Sequence, residues 1–170
     1  MDESILIGMA MRGDRDAFAA LYMRCRDSLY RYAYFRLGSA EDAEDAVSAC
    51  ITEAYAHIGT LRAAGAFRTW IFRILYRCCC AVQRELIAAH DRADEDALYT
   101  LPASPDGTAL SPELQEAFGI LGGEDREIVL LSVIAGYNSS EIADILSLKP
   151  ATVRSRLKRS LAKMRKFLEG

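Results

Sequence analysis

The chain has 170 residues, enough for one ordinary domain or two small ones, and its 51% hydrophobic and 26% charged residues exclude a disordered protein. The formal net charge of −3 argues against a protein coated with basic residues. The charge is segregated, however, because residues 149–166 contain eight Lys or Arg and no Asp or Glu. A mildly acidic chain that ends in a cationic segment indicates a polyanionic partner.

The N-terminus does not have the pattern of a targeting segment. Residues 1–4 are acidic where a secretory signal would be basic, and no apolar run reaches the ~18 residues that a membrane span needs. We therefore expect a cytoplasmic protein without membrane insertion, whose cysteines are reduced thiols. No C-x-x-C pair occurs, so we expect no metal and no cofactor. Small buried hydrophobes are the favoured role for Cys78, Cys79 and Cys80, and a zinc or redox site is the alternative.

Apolar residues at helical spacing predict three helices in the first ninety residues. The first runs from Asp14 to about Leu37. Ser39 is the predicted N-cap of the second, which covers roughly residues 40–57, and the third covers about residues 67–89. No stretch alternates as a strand would. The predicted fold class is therefore all-α.

Residues 91–110 lose the apolar period and contain five acidic side chains and one basic side chain, together with proline and glycine. This composition predicts a flexible acidic linker between two small helical domains, residues 1–90 and 111–170. Ser111 and Pro112 are the predicted N-cap and first residue of the helix that opens the second domain.

The second domain has the pattern of a helix-turn-helix. Short helices over residues 124–135 and 141–146 are followed by a turn at residues 147–149 and a basic helix over residues 151–168. Five apolar residues of the last helix are expected to face the core: Val153, Leu157, Leu161, Met164 and Leu168.

The remaining arc of the last helix is the first candidate DNA-binding surface. An α-helix fits the major groove of B-DNA, and its N-terminal residues meet base edges while flanking cations neutralise phosphates. We expect base contacts from Thr152, Ser155, Arg156 and Arg159, and phosphate contacts from Arg154, Lys158, Lys163 and Lys166. A solvated cationic helix end is the alternative interpretation.

The third helix of the first domain is a second candidate surface. Arg68, Arg73, Arg77 and Arg84 alternate with the aromatic residues Phe67, Trp70, Phe72 and Tyr76, and no acid interrupts residues 67–84. Cations beside aromatic rings are typical of single-strand binding, because exposed bases stack on rings while arginine pairs with the backbone. For Trp70 itself, its helical spacing with Ile74 favours a core role, and a platform for base stacking is the alternative.

Taken in order, these segments resemble bacterial RNA polymerase sigma factors of the extracytoplasmic-function (ECF) group. The resemblance covers nearly the whole chain. Its most specific parts are Gly13-Asp14 with Ala17-Phe18 and Leu21-Tyr22, Ala43-Glu44-Asp45, residues 67–74, residues 126–131, residues 140–143, and residues 152–159.

The resemblance implies a function and two sets of binding residues. The first domain would dock on the clamp helices of core RNA polymerase through Asp42, Glu44, Asp45, Ser48 and Ile51. It would capture the melted −10 element through Arg62, Phe67, Arg68, Trp70, Arg73 and Arg77. The second domain would bind the polymerase flap and place Thr152, Arg154, Ser155, Arg156, Lys158, Arg159 and Lys163 in the −35 major groove.

The predicted protein is thus a promoter-directing sigma factor with no catalytic activity. Its expected partners are core polymerase and promoter DNA, and the resemblance also implies an anti-sigma factor. Family members usually have glutamine and tryptophan where Ser48 and Tyr55 stand, and asparagine and aspartate where Arg77 and Ala81 stand. Two other functions stay open: a stand-alone helix-turn-helix regulator, and a thiol-sensing interaction module.

Overall fold

A computed structural model describes residues 1–89 and 111–170. Within those ranges the secondary structure is helical, with no strand. The helices are α1 (Glu3–Met11), α2 (Arg15–Leu37), α3 (Ala40–His57), α4 (Phe67–Ala89), α5 (Pro112–Gly119), α6 (Gly123–Val133), α7 (Ser139–Leu146) and α8 (Pro150–Glu169), with short 3₁₀ turns at Ile58–Thr60 and Ala64–Ala66. The all-α fold is confirmed, while the predicted linker lies outside the described residues.

The helix ends follow local side-chain chemistry. Ser39 accepts a hydrogen bond from the Asp42 backbone N–H at 3.3 Å, and Ser111 accepts one from Leu114 at 3.3 Å, so both predicted N-caps are confirmed. Gly38 ends α2 at a φ of 77°, a left-handed conformation that glycine adopts without steric cost.

One helix was not predicted from the sequence. Helix α1 has only nine residues, and its apolar residues surround it instead of forming a stripe, so no helical period could be recognised. In the structure Ile7 and Ala10 are buried against the bundle. The short apolar stretch after the N-terminus is therefore part of the core of the first domain.

Helices α1 to α4 form one bundle around a core that contains Leu29, Tyr32 and Leu75, which are fully buried. Helices α5 to α8 form a second group, in which α8 packs on α5, α6 and α7. Ile128, Ile142 and Val153 are fully buried there. Both groups contribute to a single continuous hydrophobic core, since α4 packs on α7 and α2 packs on α6.

The predicted core stripe of α8 is partly wrong. Val153 and Met164 are buried, but Leu161 is 41% exposed and Leu168 is 47% exposed. Ser160, the residue before Leu161, is buried in its place, at 3% exposure. The buried face of α8 runs through Val153, Ser160 and Met164, so Leu161 points away from that face, while Leu168 lies in the last turn of the helix.

Candidate nucleic-acid interface

Three local features fix the start of α7, the turn after it and the start of α8. Asn138 and Glu141 form a reciprocal capping box at the start of α7, with both hydrogen bonds at 2.9 Å. Ser147 ends α7 at a φ of 58°, in the left-handed region. Pro150 then occupies the first turn of α8, where its missing N–H is not needed. The helix-turn-helix prediction is met by this geometry.

The N-terminal half of α8 presents most of the predicted DNA-binding residues to solvent. Thr152, Arg154, Ser155, Lys158 and Arg159 are all exposed. Among residues 1–89 and 111–170, the Arg159 guanidinium donates a hydrogen bond only to the Ser155 carbonyl in its own helix, at 3.4 Å. These side chains form one polar, cationic face opposite the buried Val153.

Two predicted DNA-binding residues are engaged inside the second domain. Arg156 donates to Asp125 Oδ1 at 2.7 Å and pairs with Glu124, so its side chain is only 24% exposed. These hydrogen bonds, that of Glu124 first, raise the pKa of the Arg156 guanidinium. Lys163 Nζ donates to the Ile120 carbonyl at 3.1 Å, at the C-terminal end of α5. Their DNA contacts stay predictions.

The residues predicted to bind the single strand on and before α4 differ in exposure, from fully exposed to buried. Arg62 is exposed in the loop that precedes the helix, and Trp70 is half-buried against the core. Phe67 is only 4% exposed, with its ring 6.1 Å from that of Trp70. In this conformation the buried Phe67 ring packs beside Trp70, and Trp70 is the one of these two aromatic side chains that lies closer to solvent.

The α4 arginines all have partners in the structure. Arg77 pairs with Glu53 of α3 at 2.9 Å. Arg68 donates to the Ala135 carbonyl at 3.3 Å, and Arg73 donates to the Asp144 carbonyl at 3.2 Å. Both of these carbonyls belong to the second domain, so two of the predicted −10 residues contact α5–α8.

The predicted polymerase-docking residues lie along α3. Glu44, Asp45 and Ser48 are exposed, while Asp42 and Ile51 are half-buried. A groove of about 400 Å³ runs between this face and α2, and Glu44 and Ser48 line it. The face is acidic and open, as a surface that binds a basic partner would be.

Burial favours the neutral thiol at four cysteines, Cys25, Cys50, Cys78 and Cys79. Burial raises the pKa of Cys25 to about 11 and that of Cys79 to about 12, and it raises the pKa of Cys50 and Cys78 as well. Among the described residues no group of three or more His, Cys, Asp and Glu side chains is placed to hold a metal ion. The buried-hydrophobe role fits Cys50 and Cys79, which are fully buried.

Two residues that join the domains were missed by sequence reasoning. Glu127 is 4% exposed and accepts a hydrogen bond from the Tyr32 hydroxyl while pairing with Arg36. Tyr137 is 3% exposed, and its ring meets that of Phe72 edge-on at 4.9 Å. A carboxylate beside four consecutive apolar residues at 128–131 was the available signal for Glu127.

No helix in the described ranges is long and apolar enough to span a membrane. An all-α chain with a helix-turn-helix, an exposed basic face on its last helix and an arginine-rich aromatic helix has the features of a nucleic-acid-binding protein.

Residues 21–84 match the family model Sigma-70 region 2, and residues 111–164 match Sigma-70, region 4. The ECF RNA polymerase sigma factor SigM of Mycobacterium tuberculosis is 28% identical over 163 residues, which cover 96% of this chain and 83% of SigM. SigW of Bacillus subtilis, also an ECF sigma factor, is 26% identical over 183 residues, which cover 95% of this chain and 94% of SigW.

Among solved structures, CnrH in complex with the cytosolic domain of CnrY matches with a TM-score of 0.76 at 24% identity, over 98% of this chain and 97% of CnrH. That likeness shows the fold. With the two family models and the ECF relatives, the chain belongs to the sigma-70 family, in its ECF group. It directs RNA polymerase to promoters in transcription initiation, as a member of a non-catalytic family.

Proposed function

We propose that promoter recognition is divided between the two domains, residues 1–90 and 111–170, as the sequence predicts. The observation that carries the proposal is the face of α8, where five predicted DNA-binding residues are exposed on the helix that follows the helix-turn-helix turn. This helix enters the −35 major groove, with Thr152, Ser155, Arg156 and Arg159 at base edges and Arg154, Lys158 and Lys163 at phosphates.

Arg159→Ala tests the −35 assignment, because within the described part of the chain the Arg159 guanidinium bonds only to its own helix. Transcription by the holoenzyme from a −35-dependent promoter should fall about tenfold, the cost of one lost base contact. Arg165→Ala is the matched control, since Arg165 is exposed in the same helix and pairs with Glu169 at 3.5 Å. Equal losses in both variants would contradict a specific contact.

The α4 surface captures the melted −10 strand in this proposal, through Arg62, Arg68, Trp70, Arg73 and Arg77, with Phe67 beneath. Holoenzyme that contains Arg73→Ala should form fewer open complexes, measured by permanganate reactivity of unpaired thymines. Arg31→Ala removes an exposed arginine from α2 and serves as the control. An unchanged opening rate in Arg73→Ala would remove this residue from the strand-binding set.

The acidic face of α3 docks on core polymerase, through Asp42, Glu44, Asp45, Ser48 and Ile51. Asp45→Lys reverses one exposed charge and should weaken core binding at least tenfold in a fluorescence titration, because like charges then meet at the interface. Glu116→Lys makes the same charge change on α5 and should bind normally.

Leu161 and Leu168, which are exposed and apolar, suit contact with the polymerase flap.

We infer further that an anti-sigma factor holds the chain when it is inactive. A similar solved structure supports this, since it contains the sigma factor RpoE in complex with the anti-sigma factor NepR from Bartonella quintana. The test is inhibition: a purified candidate anti-sigma factor should abolish holoenzyme transcription at a stoichiometry of one to one.

The chain acts in the cytoplasm, where polymerase and promoter DNA are found.

A further inference from the structure

A cavity of about 190 Å³ lies where α1, α2 and α4 meet the segment between α6 and α7. Its walls are apolar and buried, and they are formed by Leu21, Phe67, Ile71, Phe72 and Ala135. An apolar cavity of about 150 Å³ in a protein interior takes up benzene. This cavity is therefore large enough for a single aromatic ring with one small substituent.

The aromatic walls of the cavity are held in place by other rings. The Phe72 ring meets the Tyr32 ring edge-on at 5.7 Å and the Tyr137 ring edge-on at 4.9 Å. The Phe67 ring lies 6.1 Å from that of Trp70. Walls that are fixed before a ligand arrives lose little conformational freedom on binding, and aromatic walls favour a flat ring through edge-to-face and offset-stacked contacts.

The polar residues that line the cavity come from three helices. Glu3 lies on α1, Arg24 and Ser28 lie on α2, and Arg68 lies on α4; all four are exposed, so the cavity opens to solvent. Cys25 also lines it, and burial raises the pKa of this thiol to about 11, which leaves it uncharged at neutral pH. Two guanidinium groups against one carboxylate leave a single positive charge, which a monoanion would balance.

Both arginines are positioned by backbone carbonyls. Arg24 donates from Nη2 to the Met1 carbonyl at 2.7 Å. Arg68 donates from Nη2 to the Ala135 carbonyl at 3.3 Å, and its guanidinium lies 4.8 Å from the centre of the Tyr137 ring. A guanidinium has five N–H donors, so one carbonyl leaves each arginine with donors for a carboxylate. Charge-assisted N–H···O bonds from such a planar group orient the ligand as well as adding affinity.

We propose that this cavity binds a small aromatic monocarboxylate that contains one ring. The ring lies against Phe67 and Phe72, and the carboxylate faces the guanidinium groups of Arg24 and Arg68. Of the residues that line the cavity, Arg24 and Ser28 belong to none of the proposed DNA or polymerase surfaces. Variants at these two positions therefore test the site apart from the proposed function.

Isothermal titration calorimetry of the full chain with sodium benzoate is the primary test. A ligand of this size is expected to bind with a dissociation constant on the order of 0.1–1 mM. Acetate keeps the charge without the ring, and benzyl alcohol keeps the ring without the charge, so each should bind at least tenfold more weakly. If either binds as tightly as benzoate, the cavity does not recognise an aromatic carboxylate and the proposal is overturned.

Two variants at exposed positions test the residues. Arg24→Gln should weaken benzoate binding about tenfold, the effect of one lost charge-assisted hydrogen bond. Arg31→Gln is the matched control, because Arg31 is exposed on the same helix and is not among the residues that line the cavity. Ser28→Phe places a ring at the cavity itself and should abolish benzoate binding while circular dichroism shows the melting temperature of the wild-type chain. Wild-type affinity in both Arg24→Gln and Ser28→Phe would refute the site.

Methyl NMR spectra of the wild-type chain locate the ligand without any variant. Benzoate should shift the methyl signals of Leu21 and Ile71, which line the cavity, and leave those of Ile128 and Leu131, buried in the second domain, in place. Shifts of Leu21 and Ile71 that saturate with the calorimetric dissociation constant would support the proposal. Unmoved Leu21 and Ile71 signals at ten times the expected dissociation constant would contradict it.

Discussion

The sequence and the structure give Arg156 two different roles, a DNA contact and an ion pair within the second domain, and the two roles can be tested separately. The sequence places it at a base edge, whereas the structure shows its guanidinium held by Asp125 at 2.7 Å and by Glu124. Arg156→Ala would therefore remove an intradomain ion pair and a predicted DNA contact together. The two losses differ in size and in the assay that detects them.

The ion pair is partly exposed, with the side chains of Arg156, Glu124 and Asp125 at 24%, 50% and 35% exposure. A pair of this kind contributes about 1 kcal/mol to the free energy of unfolding. A bidentate base contact contributes about 1–3 kcal/mol of discrimination, equivalent to roughly a 5- to 150-fold change in promoter occupancy. We therefore expect a small loss of stability and a larger loss of −35-dependent transcription.

The assay is run-off transcription from templates with an intact and with a scrambled −35 element. Arg156→Ala should reduce transcription about tenfold on the intact template and have no effect on the scrambled one, while core binding stays at the wild-type level. The double variant Glu124→Gln/Asp125→Asn removes the ion pair but keeps the guanidinium, and it should retain most of the transcription. If the double variant loses as much as Arg156→Ala, Arg156 acts only on the fold.

Three further predictions concern the fold. Leu29→Ala, at a fully buried position, should lower the free energy of unfolding by about 2–5 kcal/mol in urea titrations. Asn138→Ala removes half of the capping box with Glu141 and should cost about 1 kcal/mol in the same assay. Above pH 9 stability should fall as pH rises, because the folded state keeps protons on Cys50 and on Cys79, whose pKa is about 12, while unfolded thiols ionise; replacing either by Ala should make that fall shallower.

Most of the fold could be predicted from local signals. Helices α3 and α4 begin and end close to the residues predicted, because Ser39 and the apolar periods mark those bounds without help from distant contacts. Helix α1 could not be predicted, since its apolar residues acquire a buried side only when it packs on α2. Leu161 and Leu168 were wrongly predicted to be buried for a related reason. Periodicity shows which residues of a helix are apolar, but not whether another helix covers them.

The candidate site was predictable as a set of residue types on two helices, and less so as a set of contacts. Nothing local in the sequence shows that Arg68 and Arg73 meet the second domain, because the two partners are far apart along the chain. The same holds for Glu127, whose partners lie on α2. Long-range pairing depends on how the domains pack, and the net charge of −3 could not reveal it.

The central claim, that promoter reading is divided between α4 and α8, is tested most directly by mapping transcript starts. Core polymerase from the source bacterium, loaded with this chain, is given fragmented genomic DNA, and the 5′ ends are sequenced. The predicted result is a set of starts that share both a −10 and a −35 motif, with Arg159→Ala relaxing only the −35 motif. Starts that share no motif, or a −35 preference unchanged by Arg159→Ala, would contradict the account.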